Sequence, residues 1–148
     1  MTYRIEIEHN FETAHRLYKQ TASIKCQSLH GHSWYARLTV AADALDAAGM
    51  IIEFATLKQA WRGWIDTHLD HSLVLHRDDP MAAAVRSVFP ESRITLLDDS
   101  PTTEVLAALL HQVATGFVAQ LPNAATNVRV EAVHIQETRV NAASYAAD

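Results

Sequence analysis

Tyr3, Ile5 and Ile7 alternate with Arg4, Glu6 and Glu8, the period of a strand with one buried and one wet face. His15 follows shortly after the predicted end of that strand. Residues 16–31 hold no period and read as a loop. Alternation returns from His32 to Ala41, with Trp34, Ala36, Leu38 and Val40 on one face, and the two stretches are expected to pair antiparallel across the loop. Gly49-Met50-Ile51-Ile52-Glu53-Phe54 predicts a short strand entering a helix, in which Phe54, Leu57, Trp61, Trp64, Ile65 and His68 or Leu69 recur at helical spacing. Asp79-Pro80 sets an acid before a proline, the start signal of a short second helix, and Ile94 to Leu97 suits another short strand. Ser100-Pro101 repeats that signal for a second long helix, with Glu104 in its first turn beside the positive end of the helix dipole. Its apolar face is expected from Val105, Leu106, Leu109, Leu110, Val113 and Phe117, and its end from Pro122-Asn123. Val128 to Thr138 is the last predicted strand, and the small, polar tail after Val140 is expected to be loose.

Segregated helices packed on an antiparallel sheet make an α+β fold. With no linker, repeat or low-complexity tract, residues 1–148 read as one domain, long enough for a real hydrophobic core. Periodicity leaves the order of strands open. A hydrophobic fraction of 49% and a charged fraction of 20% carry no signature of disorder. The net charge of -5, with no Lys/Arg cluster, argues against a nucleic-acid partner but leaves room for a local positive pocket facing an anionic substrate. Cys26 is the only cysteine, so no internal disulfide forms, and a lone thiol fits a reducing compartment. The charged, alternating N-terminus is unlike a signal peptide. No apolar run approaches the roughly 18 residues of a membrane span, so a cytoplasmic protein without membrane contact is expected.

The chemistry concentrates in the histidines. His30 and His32 stand two apart in a strand-like segment, which sends both side chains to one face, and His15 comes from the end of the neighbouring strand. Gly31 between them is expected to leave room for a close backbone or ligand. Three neutral imidazoles with an open fourth position suit a catalytic zinc ion, although spacing alone also admits iron, nickel, or an ordinary set of hydrogen-bonded histidines. Cys26, four residues before His30, is a candidate base or nucleophile near a cation, or a fourth ligand that closes a structural shell. In the second case the chain is a zinc-stabilised binding or assembly module. Asp70-His71 is a pair in which the carboxylate can fix the imidazole tautomer. Glu137 is either a clamp for a cyclic N–H/NH2 edge or an exposed charge at a strand end.

Phe11-Glu12-Thr13-Ala14-His15, Cys26-Gln27-Ser28-Leu29-His30-Gly31-His32, Gly49 to Phe54 with Leu57-Lys58, Leu69-Asp70-His71, Pro101-Thr102-Thr103-Glu104 and Glu137-Thr138 stand in one order. In that order the chain resembles the 6-pyruvoyltetrahydropterin synthase and 6-carboxytetrahydropterin synthase family, across residues 3–138. The resemblance implies Zn2+ on His15, His30 and His32, Cys26 as the catalytic cysteine, Asp70 and His71 as its partner dyad, and Glu137 as the pterin anchor. It implies the tunnelling fold, a four-stranded antiparallel sheet with two long helices on one face. Subunits of that fold close into a barrel-containing trimer, and two trimers stack into a homohexamer with sites between subunits. It further implies a carbon-carbon lyase converting 7,8-dihydroneopterin triphosphate to 6-carboxy-5,6,7,8-tetrahydropterin, acetaldehyde and triphosphate, toward queuosine. The alternative within the family is 6-pyruvoyltetrahydropterin synthase, which eliminates triphosphate from the same substrate. Arg16, Lys19 and Lys25 lie near in sequence as cations for the triphosphate. Two departures stand out: Glu53 where the family usually has aspartate, and a longer segment from His76 to Ser100, expected to add a small helix-strand elaboration near the site or its rim.

Overall fold

The opening alternation runs further than its aliphatic residues suggest. In the computed structural model, which describes residues 1–19 and 23–148, strand β1 spans Tyr3–His15 and buries Ile7, Phe11, Thr13 and His15 on one face. His15 is thus the last residue of the strand, not a loop residue beyond it. Part of the expected loop, residues 20–22, lies outside the described residues. The rest holds a single helical turn, α1 (Ile24–Gln27), before strand β2 (His30–Ala42). The two strands pair antiparallel over their whole length, from Tyr3 opposite Ala42 to His15 opposite His30.

The expected short strand at residues 49–54 is absent. That stretch is a turn in which Asp46 Oδ1 accepts from the N–H groups of Ala48 and Met50, and Gly49 takes a φ of 77°. Ile51 and Ile52 are buried there by packing alone. Helix α2 (Phe54–His68) then buries Leu57, Trp61 and Ile65, four residues apart each time, against the sheet. Glu53 occupies its N-cap position, and its carboxylate accepts from the Thr56 hydroxyl instead of a backbone N–H.

Strand β3 (Ser72–His76) escaped the sequence reading, because four of its five residues are buried and no alternation marks it. Helix α3 (Met81–Val88) and strand β4 (Ile94–Leu97) follow as expected. The helical crossovers make β3 parallel to β1 and β4 parallel to β3. The elaboration in residues 76–100 is therefore an extension of the sheet. Helix α4 (Thr103–Val118) is capped by Thr102, whose hydroxyl accepts from Val105 N–H, not by Ser100. Its buried face is Leu106, Ala107, Leu110, Ala114 and Val118, rotated from the expected stripe because small alanines let the helix approach closely. It ends before Pro122-Asn123. Strand β5 (Arg129–Gln136) is shorter than expected. The tail is not loose: β6 (Ala142–Ala146) pairs with β5 through backbone bonds that small residues neither signal nor impede.

The sheet is thus six-stranded and mixed, in the order β4-β3-β1-β2-β5-β6, where four antiparallel strands were expected. The two long helices share one core with Phe11, Trp34, Leu38, Val133 and Ile135, and Trp61 meets Phe117 edge-on with ring centroids 6.4 Å apart. We expect Leu110→Ala to cost about 2–5 kcal/mol in urea denaturation and Val105→Ala clearly less. The reverse order would restore the helix orientation read from periodicity.

Candidate metal centre and acid-base dyad

The strand register builds the centre. His15 faces His30 directly across the β1–β2 ladder, and His32 follows two residues on, opposite Thr13. All three imidazoles therefore share the helix-covered face, with one ligating nitrogen from each lying within 4.8 Å of the others. Trp34 forms the floor. Its ring meets His15 and His32 edge-on at 5.1 and 5.3 Å, stacks with Phe11 at 6.0 Å, and donates Nε1–H to the Thr13 carbonyl at 3.0 Å.

Hydrogen bonds set the tautomers. His15 Nδ1 lies 2.7 Å from the Pro101 carbonyl, just before α4, and His30 Nδ1 lies 2.7 Å from the Ser28 carbonyl. A carbonyl only accepts, so each Nδ1 carries the proton and each Nε2 keeps a free lone pair. Nε2 of His15 and of His32 is buried without a hydrogen-bond partner. Burial pushes the His15 imidazole below its ordinary pKa, against the Pro101 bond that raises it, and burial likewise lowers His32. Neutral, converging, unpartnered imidazole nitrogens are what a divalent cation requires, and these residues fit one.

Glu137 sits in the β5–β6 turn, where its N–H donates to the Asn141 carbonyl at 3.0 Å. Its carboxylate is 3.5 Å from His15 Nε2 and 3.6 Å from His32 Nε2, so it faces the centre and is not a stray surface charge. A cavity of about 490 Å3 lies beside it, lined by His32, Tyr35, Gln136 and Glu137 among others. Gly31 has no tight neighbour: a Cβ there would meet only ordinary contacts from 3.6 Å, so the expected close approach is not found within this chain.

Asp70 and His71 form the pair expected, by an unusual route. His71 adopts φ 52°, which turns its Nδ1 back to Asp70 Oδ2 at 2.8 Å. Asp70 Oδ1 accepts from Glu12 N–H at 2.9 Å, and His71 N–H donates to the Glu12 carbonyl at 2.7 Å. Burial raises the Asp70 carboxyl, but the Glu12 and His71 hydrogen bonds outweigh it and hold it below the ordinary range. Arg93, which the sequence did not single out, closes the turn from behind: its Nη2 donates to the carbonyls of Asp66, Thr67 and Asp70 at 2.8–3.1 Å. The His71 side chain is 75% exposed and lines a cavity of about 710 Å3 with Glu12, His32, Phe89 and Arg93.

Cys26 stands apart. It is half-buried, lies outside the histidine group and lines neither cavity, and among the described residues no hydrogen bond joins it to Asp70 or His71. The fourth-ligand reading of Cys26 therefore has no geometric support. Of the candidate cations, Arg16 is engaged with Asp79, Lys19 lies 3.2 Å from His76 Nε2, and Lys25 is exposed on α1.

The chain matches the family described as 6-pyruvoyl tetrahydropterin synthase over residues 4–148. It is 36% identical over 109 residues to the 6-carboxy-5,6,7,8-tetrahydropterin synthase of Rickettsia conorii, covering 74% of this chain and 75% of that one. Two solved structures share its fold. An uncharacterized protein from Wolinella succinogenes superposes with TM-score 0.83 at 22% identity, over 100% of this chain and 99% of that one. The 6-pyruvoyl tetrahydropterin synthase of Caenorhabditis elegans gives TM-score 0.67 at 19% identity, over 100% and 97%. The expected α+β tunnelling fold is borne out, with the strand count corrected as above.

Because the folded His15 and His32 resist protonation, the unfolded chain takes up protons first as the pH falls through about 6.5. Stability of the metal-stripped protein should therefore fall across that window. His15→Gln should flatten the loss in urea titrations and abolish metal binding. An unchanged slope would show that His15 is not held neutral.

Proposed function

The chain belongs to the 6-pyruvoyl tetrahydropterin synthase family of enzymes, and we propose that within it the protein is a zinc-dependent 6-carboxy-5,6,7,8-tetrahydropterin synthase, a carbon-carbon lyase of one pterin-binding domain working in the cytoplasm. The observation that carries this reading is the likeness to the Rickettsia conorii enzyme of that name, which extends over three quarters of both chains. The histidine centre supports it with a donor set suited to zinc. Among the described residues no helix is long and apolar enough to cross a membrane. The substrate is 7,8-dihydroneopterin triphosphate, and the products are 6-carboxy-5,6,7,8-tetrahydropterin, acetaldehyde and triphosphate, in a route to queuosine.

Zinc, when bound to His15, His30 and His32, supplies Lewis acidity to the oxygens of the substrate side chain. Every other role falls to the chain. Glu137, ionised, accepts hydrogen bonds from the cyclic N–H and amino group of the pterin and so fixes the ring beside the centre. Cys26 moves a proton at the side chain, and His71, held in one tautomer by Asp70, is its acid-base partner. The outward-facing His71, whose side chain is 75% exposed, supports a site shared between subunits. The dyad of one chain then serves the Cys26 of its neighbour in a trimer, with two trimers stacked as a hexamer.

Three measurements test this. Incubation with dihydroneopterin triphosphate should release acetaldehyde, whereas triphosphate release without acetaldehyde would assign the pyruvoyl-forming reaction instead. Cys26→Ala should keep its metal while turnover falls about 10²- to 10⁴-fold, the worth of a positioned acid-base group. Dissociating and reassembling inactive Cys26→Ala with inactive His71→Ala chains should restore part of the activity, since some sites then combine an intact cysteine with an intact dyad. No recovery in verified mixed oligomers would place both groups in one chain.

A further inference from the structure

The helical turn that carries Cys26, α1, buries none of its own residues. Ile24 and Leu29 are 75% and 45% exposed. Among the described residues, part of its attachment runs through the residues that follow His15. Leu17 N–H donates to the Cys26 carbonyl at 2.8 Å. Arg16 donates from Nε at 2.8 Å and Nη2 at 2.6 Å to the two oxygens of Asp79, and from Nη1 at 3.4 Å to the Gln27 carbonyl. Asp79 is the only buried carboxylate among the described residues, its side chain 0% exposed, and it also accepts from Met81 N–H at 2.9 Å at the start of α3. The Nε/Nη2 edge of the planar guanidinium is thus fixed by a carboxylate that is itself fixed, and its remaining nitrogen, Nη1, meets the backbone next to Cys26.

We propose that Arg16 and Asp79 form a positioning clamp that sets the Cys26 loop relative to the histidine centre. The catalytic part of this role rests on the reading of Cys26 as the proton-transfer residue. A partly buried ion pair is a weak source of net stability, because desolvation offsets its attraction, so its contribution here is geometry. Burial raises the Asp79 carboxyl, yet the hydrogen bonds from Arg16 and Met81 overcome this and keep it ionised, which keeps the pair charged on both sides. The clamp also gives the elaboration between β3 and β4 a task. It supplies Asp79 to the cysteine loop and Arg93 to the Asp70–His71 turn, so one segment braces both halves of the proposed acid-base pair.

The test uses the metal-loaded protein with the nearly isosteric variant Asp79→Asn and the variant Arg16→Lys, which keeps the charge but removes the planar fork. Cys26 is the sole cysteine, so iodoacetamide alkylation reports on it alone, independently of any activity. Both variants should retain metal and change the alkylation rate about fivefold or more, as access to the thiol changes. Their kcat should fall about 10- to 100-fold with KM within about threefold, the pattern of a misplaced reacting group. Arg4→Gln, which breaks the exposed Arg4–Glu131 pair elsewhere, should move neither reading. Alkylation within about twofold of the parent in both variants would overturn the clamp. Metal loss in step with kcat would overturn it as well, by showing that Arg16 acts through its neighbour His15. Altered alkylation with undiminished kcat would overturn the catalytic part. If the parent protein does not turn over dihydroneopterin triphosphate, the functional reading fails, and alkylation alone decides the clamp.

Discussion

The antiparallel register of β1 and β2 is the constraint on which the rest of the molecule depends. A shift of one residue would move every side chain of one strand to the opposite face. Here Phe11 lies opposite Trp34 and Ile7 opposite Leu38, so the same register that buries the core also sets His15 opposite His30. Core packing and metal geometry are therefore not separable demands. The aromatic pair that anchors the register, Phe11 on Trp34, is also the floor under the imidazoles. Slippage that exposed these rings would dismantle the centre at the same time.

From that ladder outward, backbone groups carry most of the positioning. The Pro101 carbonyl before α4 orients His15, the Ser28 carbonyl orients His30, and the two backbone groups of Glu12 hold Asp70 and His71. Groups of fixed geometry cost little conformational entropy to place, which suits a centre whose ligand nitrogens must be neutral and aligned before any cation arrives. Where side chains do the positioning, they are the carboxylates of Asp70 and Asp79 and two arginines. Arg16 grips a carboxylate with its fork, and Arg93 caps the carbonyl end of α2, where a cation also complements the helix dipole.

The same arrangement explains why one chain looks chemically divided. The histidines converge at the paired ends of β1 and β2, while His71, in a left-handed backbone conformation, leaves its side chain exposed. Cys26 lies on a third segment, the β1–β2 connection. In the assembly proposed above, neighbouring copies would supply the proximity between these groups.

The sequence determined the pieces with a local signature: the alternation of β2, the helical spacing of α2, the acid-proline start of α3, and the histidines two apart on a strand. It also carried, through motif order, the family and the candidate residues. What it could not determine were features without a local period. β3 is buried on both faces and shows no alternation, while β6 is built from small residues and exists because β5 offers it a backbone edge. The buried stripe of α4 differs from its periodic expectation because alanine is too small to mark a face, yet Ala107 and Ala114 are both buried there. Asp79 read as a helix cap and Arg93 not at all, since an ion pair spanning residues 16 to 79 or a guanidinium over three distant carbonyls exists only once the chain has closed. Local pattern thus supplied the strands, helices and ligands, and tertiary closure alone decided their neighbours, because long-range pairing leaves no period in the chain.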